Sequence, residues 1–159
     1  MQFLVLLGLQ VLLLKEFILF GYAYCFAYIG AFLLLPFELG TIACMLIAFA
    51  TGLVVDIFYD TLGIHAMASV LVAFLRSYVL KALTPAGGYE NYMEPTLPSM
   101  GLNWYLLFFG TLSMVHHTAL LGIEYAQFNM LGIVLLKAAL STVLTLVITV
   151  IVQNVLVPR

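Results

Sequence analysis

Residues 138–158 read AALSTVLTLVITVIVQNVLVP, twenty-one positions without a formal charge. The hydrocarbon core of a bilayer is about 30 Å thick, and a helix needs about 20 apolar residues to cross it. This run meets that length. Its Ser141, Thr145 and Thr149 recur every four residues, a weakly polar stripe on an otherwise apolar cylinder. Such stripes let membrane helices pack closely, within one chain or against a partner.

The rest of the chain follows the same pattern. Only twelve of 159 residues are Asp, Glu, Lys or Arg, and 17–37 and 95–123 are also free of charge. Sixty-five per cent of the residues are hydrophobic, and the mean hydropathy is +1.21. A water-soluble domain carries about a quarter charged residues; 8% here cannot clothe a water-facing surface. The expected class is an all-α polytopic membrane protein, residues 1–159 forming one helical bundle. The net charge of −2 leaves no basic face for nucleic acid.

Six membrane segments are expected: about 1–14, 22–35, 39–58, 64–82, 102–123 and 129–155. Met1 to Leu14 lacks the positive start and small-residue cleavage site of a secretory signal, so it reads as a retained segment. It stops at Lys15-Glu16. The second stops at Pro36, which cannot continue a helix unbroken. These two are short, so they also fit one bent or partly interfacial unit. Leu156 to Arg159 match half of a common protease-tag site and read as a cleaved tag remnant.

Residues 84–101, TPAGGYENYMEPTLPSMG, form the one loop, punctuated by Pro85, Pro95, Pro98, Gly87, Gly88 and Gly101. Tyr89, Tyr92 and Trp104 suit a headgroup-level belt. Arg76 and Lys81 precede this loop, so the positive-inside rule makes it cytoplasmic, with both termini on the same side. Lys15 and Lys137 then lie toward the outside.

An ionisable group in hydrocarbon costs about 2.5–3.5 kcal/mol on insertion scales unless it is paired or snorkels. Asp56 and Asp60 lie one helical turn apart. They read either as a proton or cation site or, preferably, as groups bonding the turn before Gly63, because they flank a helix break. His65 follows at once. His116 and His117 lie in the fifth segment, and His117, Leu121 and Glu124 share a stripe. His116, His117 and Glu124 form a candidate polar pocket. A metal drawn from His65, His117 and Glu124 lacks any tight ligand spacing, and hydrogen bonding between helices is preferred. Lys137 is expected to snorkel or to pair with Glu124. Cys25 and Cys44 lie inside apolar runs and read as small buried hydrophobes. No nucleophile–base pair, phosphate loop or cofactor motif appears, so neither an enzyme nor a bound cofactor or metal is expected.

Residues 52–81 read GLVVDIFYDTLGIHAMASVLVAFLRSYVLK. This resembles the rod shape-determining MreD family. There a helix ends in Gly-Leu-x-x-Asp, a short polar turn follows, and a Gly and often a His lead into a small-residue helix ending in Arg. Gly52, Leu53, Asp56, Gly63, His65 and Arg76 match those positions. The loop with Tyr89, Glu94 and Pro95 and the His116-His117 pair also resemble one branch. The resemblance implies a multi-pass protein of the bacterial inner membrane, in the cell elongation machinery that builds peptidoglycan and sets rod shape. It implies binding to MreC, and through the complex links to RodA, its penicillin-binding transpeptidase partner and MreB. It implies a fold similar to the six-helix substrate-binding component of vitamin uptake transporters. The leading expectation is a non-enzymatic scaffold in contact with membrane lipid. The alternative is a small-molecule transporter component of the vitamin-binding kind.

Overall fold

A computed structural model describes residues 2–15, 17–89, 93–125 and 130–156. Tyr92, Glu16 and 157–159 of the tag-like terminus lie outside the described residues. The chain is mostly helical. Among the described residues, four helices are long and apolar enough to cross a membrane: α3 (Thr41–Tyr59), α4 (Ile64–Ala82), α6 (Leu102–Tyr125) and α7, apolar over Leu131–Val155 and helical over Leu131–Leu156. They coincide with the last four expected segments. The chain is a membrane-embedded helical protein.

The first two expected segments take other forms. Helix α1 (Gln2–Leu9) widens into a π-helical turn over Gln10–Leu14. At about 1.5 Å per residue this unit falls short of a bilayer core. Residues 22–35 are not one helix. A small antiparallel hairpin pairs β1 (Ile18–Leu19) with β2 (Ala23–Tyr24), in the register Ile18 to Tyr24 and Leu19 to Ala23. Phe20 and Gly21 turn it with φ of 52° and 74°, the mirror-image turn that suits the twist of a hairpin. An extended run follows, and only Ile29–Leu33 closes into the short helix α2. The hairpin is the exception to the all-α expectation.

The 84–101 connection holds a four-residue helix, α5 (Leu97–Met100), with Pro98 in its first turn. The Gln153 side chain of α7 bonds both Gln2 (2.7 Å) and the Leu97 amide (3.4 Å). The start of α1, the connection and the end of α7 therefore lie at one end of the bundle. The hairpin, the α3–α4 turn and the end of α6 lie at the other. The core is built on Tyr28, Phe32, Tyr105, Phe108 and Phe109, all fully buried.

Candidate functional site

The α3–α4 turn is organised around Asp56. Its side chain is buried and points at the N-terminus of the next helix. Oδ1 accepts from the Thr61 hydroxyl (2.5 Å) and the His65 amide (3.1 Å), and Oδ2 accepts from the Ala66 amide (2.9 Å). Those amides belong to the first turn of α4, which has no partners within its own helix. Gly63, the residue at the cap position, has no side chain to supply and sits at φ 86°, a conformation that favours glycine. Asp56 thus caps α4 from α3, and its charge complements the positive end of that helix dipole.

Gly52 lies one turn before Asp56 on the same face. A Cβ there would meet the Ala66 Cα at 2.4 Å, so the two backbones touch where the carboxylate reaches across. Asp60 behaves differently. It ends α3 in the left-handed conformation at φ 55° and is exposed. The two carboxylates therefore differ in setting, Asp56 buried under α4 and Asp60 exposed at the end of α3.

The run 24–28 crosses the bundle interior outside any long strand or helix, turning into α2 at Ala27 and Tyr28. Side chains complete its backbone bonds. Ser141 accepts from the Tyr24 amide (2.9 Å) and Thr145 from the Phe26 amide (3.1 Å). Gln10 donates to the Cys25 carbonyl (2.9 Å) and accepts from the Tyr28 amide (3.4 Å). Its amide nitrogen also bonds the Tyr59 hydroxyl at 2.7 Å. Irregular backbone at membrane depth is tolerated only where protein or trapped water satisfies it. The Ser/Thr stripe of α7 therefore does more than pack: two of its hydroxyls hold a non-helical segment. Thr149 donates within its own helix, at Thr145 O and Leu146 O, and stands beside the buried Tyr105 hydroxyl.

Tyr28 links the histidines. Its hydroxyl lies 2.7 Å from His116 Nε2, 3.2 Å from His65 Nδ1 and 3.3 Å from the Ser69 hydroxyl. His117 sits 2.5 Å from the Ser113 carbonyl through Nδ1 and 3.2 Å from Thr145 Oγ1 through Nε2. Both members of the His pair are fully buried. Glu124 is not with them: it is exposed and lines an open cavity of about 290 Å³ beneath the hairpin, together with Lys15, Tyr59 and His65. The expected His116–His117–Glu124 pocket is thus two places, an interior hydrogen-bond network and a rim.

At the opposite end, Arg76 is 3% exposed. Nε donates to the Leu33 carbonyl (3.2 Å), and Nη2 donates to the carbonyls of Leu35 and of Pro36 (3.2 Å). Leu33 is the last residue of α2 and Leu35 and Pro36 follow its end, where the Pro36 carbonyl also accepts from the Leu39 amide. Beside it Phe37 stacks on Tyr89 (4.2 Å between centroids), and Trp104 packs edge-on against both. Lys137 bonds the Tyr125 hydroxyl at 2.5 Å and stands over the rings of Tyr22, Tyr24 and Tyr125 at 5.7, 5.6 and 5.0 Å. The expectation was that it snorkels or pairs with Glu124; three tyrosine rings surround its ammonium.

Gln10, Tyr28 and Ser69 are functional parts of this network that the sequence reading passed over. A glutamine in the middle of the apolar run 3–14 was the available signal. Among the described residues, no three His, Cys, Asp or Glu gather as metal ligands. No family model matches the chain, and no curated protein or solved structure matches it either.

Proposed function

We propose that the chain is a membrane scaffold of the MreD kind, which holds the membrane helix of MreC within the bacterial elongation machinery. The observation that carries this reading is where the polar groups go. The side chains of Asp56, Arg76 and His117 all bond the chain's own backbone, and His65 is tied to the Asp56 carboxylate through its amide and to the Tyr28 hydroxyl through its ring. They stiffen a body whose outer faces are left apolar. On α3 the exposed residues Ile42, Leu46, Phe49, Leu53 and Ile57 recur at spacings of four and three, as do Met67, Leu71, Phe74 and Tyr78 on α4. That spacing is the seam of a left-handed helix pair. In lipid, close packing and interhelical hydrogen bonds must supply the affinity.

In this reading the N-terminal unit and the 24–35 run complete a six-pass path in the inner membrane. The end bearing Arg76, Lys81 and the 84–101 connection is cytoplasmic. Gly52, Asp56, Gly63, His65 and Arg76 act by setting helix positions, not by touching the partner. Photo-cross-linkers at Phe49, Phe74 and Val147, one per exposed face, test the proposal in cells. Capture of MreC from at least one face is expected; capture from none contradicts it.

The open cavity beneath the hairpin favours a second reading, a vitamin-type transporter component. Its walls mix apolar side chains with His65, Tyr59, Lys15 and Glu124, as small-ligand sites do. A stoichiometric small molecule released on denaturing the purified protein would favour this reading over the scaffold.

A further inference from the structure

The cavity at the Arg76 end has chemistry of its own. It measures about 350 Å³ and lies between the start of α3 and the end of α4, with Glu38, Gly40, Arg76, Lys81 and Tyr89 in its walls. The guanidinium of Arg76 is the unusual wall. Its side chain is buried, yet its acceptors are three carbonyls and not a carboxylate. A guanidinium has five N–H groups. Nε and Nη2 serve the carbonyls of Leu33, Leu35 and Pro36, while Nη1 has no acceptor among the described residues. Carbonyl dipoles do not cancel a full charge, and a buried cation without a counter-ion is costly.

The surroundings repeat the same sign. Lys81 brings a second cation, against the single carboxylate of Glu38. Helix α3 starts at Thr41 behind Gly40, which offers no side-chain cap, and Gly40, Thr41 and Cys44 line the cavity, so the positive end of that helix lies beside it. The depth is marked by Phe37, Tyr89 and Trp104, which pack on one another beside the cavity. Aromatic clusters of this kind sit at the level of lipid headgroups.

We infer that this cavity binds the phosphate of an anionic phospholipid headgroup, with Arg76 Nη1 and Lys81 as its charge partners. A planar fork with free N–H groups matches phosphate oxygens, and a lysine adds a point charge. The commitment is to a lipid over a soluble organic phosphate because the site lies at headgroup depth in a chain that is already immersed. The lipid neutralises a charge that the protein leaves open, so the site tells anionic from zwitterionic lipid.

Trp104 is the only tryptophan and its ring lies 6.0 Å from Phe37 and 6.2 Å from Tyr89, two residues of the cavity wall. It is therefore a local reporter. The full chain in detergent is titrated with phosphatidylglycerol or phosphatidylcholine brominated on the acyl chains, and quenching of Trp104 is read. Phosphatidylglycerol is expected to reach half-quenching at a several-fold lower mole fraction than phosphatidylcholine. Lys81 and Glu38 are exposed, so their variants keep the fold. Lys81→Gln is expected to weaken phosphatidylglycerol about fivefold, the effect of one interfacial cation, and Glu38→Gln to strengthen it. Equal quenching by the two lipids, or no change in Lys81→Gln, overturns the inference. So does displacement of the brominated lipid by millimolar glycerol phosphate, which would make the ligand a soluble phosphate.

Discussion

The α-carbon of Ala66 occupies the place where a side chain on Gly52 would begin: a Cβ built on Gly52 falls 2.4 Å from it. The neighbouring atoms are also backbone, the Ala66 nitrogen at 2.7 Å and the His65 carbonyl at 2.8 Å. No rotamer change can relieve such a contact. Gly52→Ala is expected to destabilise the protein by about 1–3 kcal/mol, as overpacked sites do, despite the better helix propensity of alanine. Thermal unfolding in detergent checks this. Gly110→Ala is the control, since its Cβ would meet only Leu146 Cδ1, at 3.4 Å, and it should be near neutral.

Asp56 serves three donors with two oxygens. Asp56→Leu leaves two α4 amides and one hydroxyl without an acceptor in a buried place. The expected loss is about 2–3 kcal/mol, combining a lost cap with unsatisfied donors. Asp56→Asn keeps one acceptor oxygen and should lose less. Chemical unfolding of the two variants side by side gives the order; equal losses would mean that the carboxylate does not cap α4.

Thr145→Val keeps the shape and removes the oxygen that accepts from Phe26 N and meets His117. A loss of about 1–3 kcal/mol is expected, with faster amide exchange at Phe26. Thr149→Val removes donation to carbonyls of its own helix and no acceptor of the 24–28 run, so it should cost well under half as much. Similar effects from the two would show that the stripe serves packing alone.

Tyr28→Phe deletes the hydroxyl shared by His65, His116 and Ser69. His116 Nδ1 is already a buried atom without a partner, so this variant leaves the whole ring unpaired. A loss of about 1–3 kcal/mol is expected. Tyr78→Phe, at an exposed position, should change melting little.

Charge spacing and punctuation made much of this fold legible. Asp60 and Gly63 bracket a break that hydropathy alone would blur, and α3 and α4 end within two residues of the expected bounds. The turn-bonding role of Asp56 was readable because a carboxylate one turn before a helix break has a nearby set of free amides. The path of 22–35 was not read, because an apolar run satisfies lipid or a protein interior equally well. The order Tyr22-Ala23-Tyr24-Cys25-Phe26-Ala27-Tyr28 alternates large and small with a period of two, a strand signature, and the Ser141–Thr145 stripe holds its acceptors. Each was seen as something else: the run as a helix, the stripe as packing. The separation of Glu124 from the His116–His117 pair was equally hidden. Positions on one stripe share a face, but two turns of rise carry one from the bundle interior to its rim.

The proposed scaffold role requires that the apolar outer faces hold another membrane helix. The most direct measurement reconstitutes the full chain with a labelled MreC membrane segment in nanodiscs and reads energy transfer between them. Saturable transfer is expected in the wild type, weakened at least several-fold when the face found by cross-linking is remade with tryptophans, and unchanged when another exposed face is remade. Transfer that only tracks lipid dilution, and ignores every face, would contradict the account.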